Sequence, residues 1–143
     1  MKRRQKIQII GLIVLLGILL SGYFCVKIYN KPPEGVDKVK AEVAISSDKL
    51  LASFNANESS ADSAYVEKVI IVEGSVKKIT HINDRYTVLL QGENNRSHII
   101  CDMSESEIQS IKKLKVGDSV NIKGICKGYL MDVIMLNCIL VNN

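Results

Sequence analysis

Val69-Ile70-Ile71-Val72-Glu73-Gly74-Ser75-Val76-Lys77-Lys78-Ile79-Thr80 is the stretch that decides how this chain folds. β-branched residues dominate it, and these suit a pleated strand better than a helix. Gly74 inside the run marks a place where the strand bends or bulges. The two-residue period then continues downstream. Asn83-Asp84 reads as a turn, YTVLL at residues 86–90 as a second strand, and residues 92–95 as another turn. Residues 97–103 form a third strand, with Ile99, Cys101 and Met103 on one face.

After the third strand the pattern changes. Ser104-Glu105-Ser106-Glu107 matches a capping box, and Ile108, Ile111 and Leu114 follow at helical spacing. Val116-Gly117-Asp118 closes that helix. Two more strands, residues 120–127 and 133–141, flank a loop containing Gly128 and Asp132. Upstream of residue 69 lies another helix, capped by Ser46 or Ser47, with Asp48 at the positive end of its dipole. Its apolar stripe is Leu50, Leu51, Phe54, Ala61, Ala64 and Tyr65. Asn57 and Glu58 interrupt the stripe, either as a solvated helix break or as a buried polar contact.

The order is helix, three strands, helix, two strands. This predicts a mainly β domain: a five-stranded OB-fold barrel with an N-terminal helix and a helix between strands 3 and 4. Closure of the sheet removes the edges that an open five-stranded sheet would expose.

The N-terminal segment has a different character. Residues 9–26, IIGLIVLLGILLSGYFCV, are 18 positions without a charge. As a helix they span roughly 27 Å, close to the hydrocarbon thickness of a bilayer. Tyr23 and Tyr29 sit where interfacial aromatics settle. The expected organisation is a cytoplasmic N-terminus (1–6), one transmembrane anchor (7–29), a linker (30–45) containing Pro32-Pro33, and the barrel (46–143). Lys2, Arg3, Arg4 and Lys6 favour a cytoplasmic N-terminus, against Lys27 and Lys31 on the outer flank. That puts the barrel outside the cell membrane. A cleaved signal peptide would have a shorter apolar core and small residues at its cleavage site, whereas this run ends in Tyr23-Phe24-Cys25-Val26. The same aromatic pair before Cys25 argues against a lipidated cysteine.

Charge separates the two regions. Residues 1–29 hold five of the 19 Lys and Arg and none of the 15 Asp and Glu, which leaves 14 bases against 15 acids beyond them. The basic balance therefore belongs to the anchor. The domain lacks the positive footprint of a nucleic-acid binder.

The domain resembles the tRNA-anti-like OB-fold family, small and mostly bacterial exported or lipoprotein-type domains. The resemblance covers about residues 46–141. It rests on Leu50-Leu51, Phe54, Asn57-Glu58, Ala61 and Tyr65, then Val72-Glu73-Gly74-Ser75-Val76. It continues through Ile100-Cys101, Leu114, Gly117-Asp118, Gly124-Ile125-Cys126 and Cys138. It brings no catalytic residues. The lipobox common among relatives is absent.

Chemistry-bearing residues are few. Cys25 reads as an apolar filler of the anchor. Cys101, Cys126 and Cys138 share parity with apolar neighbours and are expected inside the barrel. They are either three buried thiols or one disulfide and one thiol, and spacing leaves the pair open. In a simple hairpin Cys126 falls opposite a residue near Val133, while Cys101 and Cys138 lie on neighbouring strands. His81 and His98 join no cluster of ligand spacing, so no metal or cofactor is expected. The chain has no GxSxG and no phosphate loop, and no enzyme is expected. OB barrels bind on the strand 2–3 face and the adjacent loops, which nominates Arg85, Tyr86, Arg96 and His98. One aromatic there is a poor stacking platform for single-stranded nucleic acid. The expected function is a membrane-anchored extracytoplasmic binding module for an envelope protein, a wall component or a small molecule. Single-stranded nucleic-acid binding, or a structural role in an envelope complex, is the alternative.

Overall fold

In the computed structural model the described residues are 2–29, 35–92 and 96–142, with side chains described for 11–24 in the first segment. The chain forms two units, Met1–Pro33 and Glu34–Asn143.

The first unit is helix α1, Lys2–Tyr29. Among the described residues no helix is long and apolar enough to cross a membrane. The anchor expected over 7–29 is thus not established by the structure. Lys31 lies outside the described residues, and Cys25 and Lys27 lie outside those whose side chains are described.

In the second unit the elements are β1 (Val43–Ser46), α2 (Ser47–Ala56), α3 (Glu58–Tyr65), β2 (Val69–Ile82), β3 (Arg85–Gln91) and β4 (His98–Met103). A 3-10 turn (Glu105–Glu107), α4 (Ile108–Ile111), β5 (Ser119–Tyr129) and β6 (Val133–Val141) complete it. The sheet order is β1-β2-β3-β4-β6-β5, and β2 also pairs with β5. The five expected strands therefore close into a barrel, with β1 added outside the ring. β4 and β6 run parallel, as do β1 and β2, while the other pairs are antiparallel.

One long strand makes this closure work. Residues 69–75 of β2 pair with β5, and from Val76 onward β2 pairs with β3. Gly74 sits at the hand-over. A Cβ there would lie 3.0 Å from Ser47 Oγ, so the start of α2 packs directly on its backbone. The irregularity in the ladder falls just beyond it, between Val76 and Lys78.

Several expectations change. Residues 43–46 of the expected linker are strand β1, held to β2 with Val43 opposite Ile70 and Ser46 opposite Glu73. Val36 is buried as well, so from residue 35 the expected linker belongs to the folded unit. The single helix divides at Asn57, which is exposed and caps both halves. Its backbone amide donates to Ser53 O at 3.1 Å, and its Oδ1 accepts from the Ser60 amide at 3.0 Å. The capping box does not form: Ser104 makes no side-chain cap hydrogen bond, and the turn tightens into a 3-10 helix before the short α4. Only Ile111 of that helix is fully buried.

The core follows the alternation. Ile70, Val72, Val88, Leu90, Ile99, Ile122, Val133 and Met135 are fully buried inside the barrel. Each such side chain contributes on the order of 1.5–3 kcal/mol. Leu50 and Phe54 of α2 join the same core, and Phe54 stacks on Tyr129 at 5.4 Å. Cys101, Cys126 and Cys138 are buried, as their parity predicts, and in this structure all three are free thiols. Cys126 pairs with Met135, two residues from Val133, and not with Cys138.

Candidate binding face

Strand alternation divides β3, β4 and β6 between two environments. Val88, Leu90, Ile99, Cys101, Val133 and Met135 go into the barrel. The opposite parity places Thr87, Leu89, Gln91, His98, Ile100, Asp102 and Ile134 on the outer face. The ladder then aligns Leu89 with Ile100, and Ile100 with Ile134. Three half-buried aliphatic side chains thus form one row across three strands.

Polar clusters flank the row on both sides, at the two ends of β4. At one end His98 stands opposite Gln91. The Lys77 ammonium, which can only donate, gives a hydrogen bond of 2.6 Å to His98 Nε2. On the other side of the ring, His98 Nδ1 lies 3.4 Å from Asp132 Oδ1. The same carboxylate accepts from the His98 backbone amide at 2.6 Å. At the other end Arg85 pairs with Asp102, whose side chain is 18% exposed. A cleft of about 420 Å³ opens there between Arg85, Tyr86, Ser104, Glu105 and Asn137. His98 and Asp102 are four residues apart on β4, so the two ends are separated by roughly 13 Å.

The four expected site residues therefore do not form one cluster. Arg85 lies beside one end of β4, at Asp102, and His98 at the other. Arg96 is exposed in the loop before β4. Tyr86 is not on the face, because it shares parity with Val88 and Leu90. It packs against the core at the barrel's end and stacks on His81 at 4.2 Å. The outward parity of Leu89 and Ile100 was readable in the sequence, though their role was missed. Lys77 and Asp132 could not be found that way. The ladder irregularity in β2 and the tight β5–β6 loop bring them to His98.

A second cleft, of about 460 Å³, lies where α2 begins, lined by Ser46, Ser47, Glu73, Gly74, Gln91 and Ser119. Its serines serve the fold: Ser46 accepts from the Lys49 amide, and the Ser47 hydroxyl donates to Gln91 O. Among the described residues no group of three or more His, Cys, Asp or Glu could hold a metal ion.

A lipoprotein from Klebsiella pneumoniae, for which nucleic-acid binding has been suggested, has a similar crystal structure. It is 19% identical, with a TM-score of 0.55 over 79% of this chain and 100% of that one. A lysozyme-binding OBody (13% identity, TM-score 0.44) covers 56% of this chain and 87% of its own. The yeast Stn1 and Ten1 structure (17%, 0.40) covers 74% of this chain and 65% of that one. No curated protein matches. The model of the tRNA_anti-like family matches residues 1–140, and the chain belongs to that family.

Proposed function

We propose that this chain is a membrane-anchored, extracytoplasmic OB binding module whose β3–β4–β6 face docks a segment of an envelope protein. The observation that carries this reading is the row Leu89–Ile100–Ile134. Aliphatic side chains aligned across three strands, with charges on both flanks, match the apolar centre and polar rim of a protein interface. A small molecule would be better served by a concave pocket than by this row. The anchor rests on the charge-free run at residues 9–26 and the basic residues before it.

A photo-crosslinking residue at position 100, in the full chain and in intact cells, tests the reading. A discrete protein adduct is expected from position 100 and not from the exposed Lys113 on the helical side. Leu89→Glu should abolish it. Equal labelling from both positions would defeat the proposal.

Nucleic-acid binding is the second reading, favoured by the suggestion made for the Klebsiella lipoprotein and by Lys77, Arg85 and Arg96 around the face. Against it, Tyr86 is turned away from that face. Salt-dependent binding of a single-stranded oligonucleotide, weakened by Arg96→Ala, would favour it over the protein partner. A reporter fused to the C-terminus tests the location, and an inward-facing domain would remove the envelope reading.

A further inference from the structure

Cys101 and Cys138 stand side by side in the barrel interior. Cys101 points inward from β4, between Ile99 and Met103. Beyond Cys101 the β4–β6 register shifts, and Cys138 comes opposite Met103. The shift coincides with Asn137, whose φ of 53° puts it in the left-handed region. The Ser104 amide then donates to Cys138 O at 2.8 Å, which fastens the end of β4 to this point of β6. The two thiols are hydrogen-bonded to each other, and neither has measurable exposure. Cys138 Sγ also fills the space beside Gly124, where a Cβ would lie 2.6 Å from it. Cys126 differs: it lies on β5 opposite Met135, and its amide donates to Lys68 O.

We propose that Cys101 and Cys138 are a disulfide pair that staples β4 to β6 in an oxidising compartment, with Cys126 remaining a thiol. The bond would lock the parallel seam behind Ile100 and Ile134 and so hold the outer row in register. The oxidant is a disulfide, either an extracytoplasmic thiol oxidase or oxidised glutathione. One cysteine thiolate attacks it, forms a mixed disulfide and releases one thiol. The second thiolate attacks the protein sulfur of that mixed disulfide, forms Cys101–Cys138 and releases the other thiol. Two protein thiols are oxidised and one oxidant disulfide becomes two thiols. The exchange belongs to folding, before β6 seals. In the closed barrel the hydrogen bond with Cys101 and burial hold the Cys138 thiol well above its ordinary pKa, which suppresses the thiolate.

The test uses the full chain in detergent, reduced and unfolded in urea, then refolded in a glutathione redox buffer. Remaining thiols are alkylated, and trypsin digestion follows without reductant. The expected product joins peptide 97–112 to peptide 128–143, while peptide 124–127 carries alkylated Cys126. Reduction should dissolve the joined species and lower the urea midpoint by roughly 1–3 M. Alkylation of both 97–112 and 128–143, or any bridge through 124–127, would overturn the pairing. Cys126→Ser should leave the bridge intact, and its loss in that variant also counts against the proposal. The bridge's presence in cells rests on the extracytoplasmic reading. A bridge that forms in the refolding buffer but is absent from chains alkylated in intact cells would refute that location and leave the pairing standing.

Discussion

The backbone amide of His98 donates to Asp132 Oδ1 at 2.6 Å, tying the first residue of β4 to the loop between β5 and β6. The contact closes one end of the outer face. It also aligns the parallel β4–β6 pair, whose register starts one residue later, at Ile99 and Val133. Asp132→Ala should leave that amide without its acceptor and cost about 1–3 kcal/mol in urea unfolding. Amide exchange at His98 should accelerate more than at Ile100. Unchanged exchange at His98 would mean that the loop holds its place without this contact.

Gly124 is a position where a single methyl should be costly. An added Cβ would meet Cys138 Sγ at 2.6 Å and Leu136 O at 3.2 Å. Gly124→Ala is expected to destabilise the barrel by about 1–3 kcal/mol. Adding Cys138→Ala to it should recover part of that loss in a double-mutant cycle, because the nearest obstacle is the sulfur. The recovery should be incomplete, since the Leu136 carbonyl remains.

Asn57 serves two helices with one side chain and one amide. Asn57→Ala removes the acceptor for the Ser60 amide and should cost about 1 kcal/mol by thermal or urea denaturation. Asn57→Asp should keep the cap and most of the stability. Equal losses in both variants would show that the amide group matters for another reason.

Alkaline pH should weaken the reduced protein. Burial raises the Cys126 thiol above its ordinary value, and the Cys101 hydrogen bond followed by burial raises that of Cys138 further. The folded state therefore keeps protons that the unfolded chain releases. The stabilisation is fully present below the ordinary thiol value and is lost as pH rises from about 9 toward the folded values. Each thiol contributes up to about 1.4 kcal/mol per pH unit in that window. The chain bridged at Cys101–Cys138 should show a shallower slope, since Cys138 no longer titrates. Identical slopes in the oxidised and reduced forms would contradict this.

Local signals account for much of the architecture. β-branched alternation located all five barrel strands, and the bounds of β6 fell as read, at 133–141. Parity also placed the three cysteines inside. The short-range signals that failed did so where tertiary contacts outweighed them. Residues 43–46 are too few to show a period, and they become a strand only because the edge of β2 is there to pair with. Ser104 and Glu107 carry the letters of a capping box, yet the chain leaving β4 tightens into a 3-10 turn. Tyr86 looked like a surface aromatic on the strand 2–3 face, but its parity with Val88 and Leu90 turns it to the barrel's end.

The sequence by itself determined the class of fold, the inward cysteines and the concentration of positive charge in the first 29 residues. Alternation and composition are properties of neighbouring residues, and neighbours are what a sequence records. Only the tertiary structure decided that Leu89, Ile100 and Ile134 form one row, that Lys77 and Asp132 meet at His98, and that Cys138 stands beside Cys101. Each of those depends on strand register, which ladder irregularities at Lys77 and Asn137 shift by single residues. A one-residue shift reassigns every cross-strand partner while leaving the local pattern of the chain unchanged.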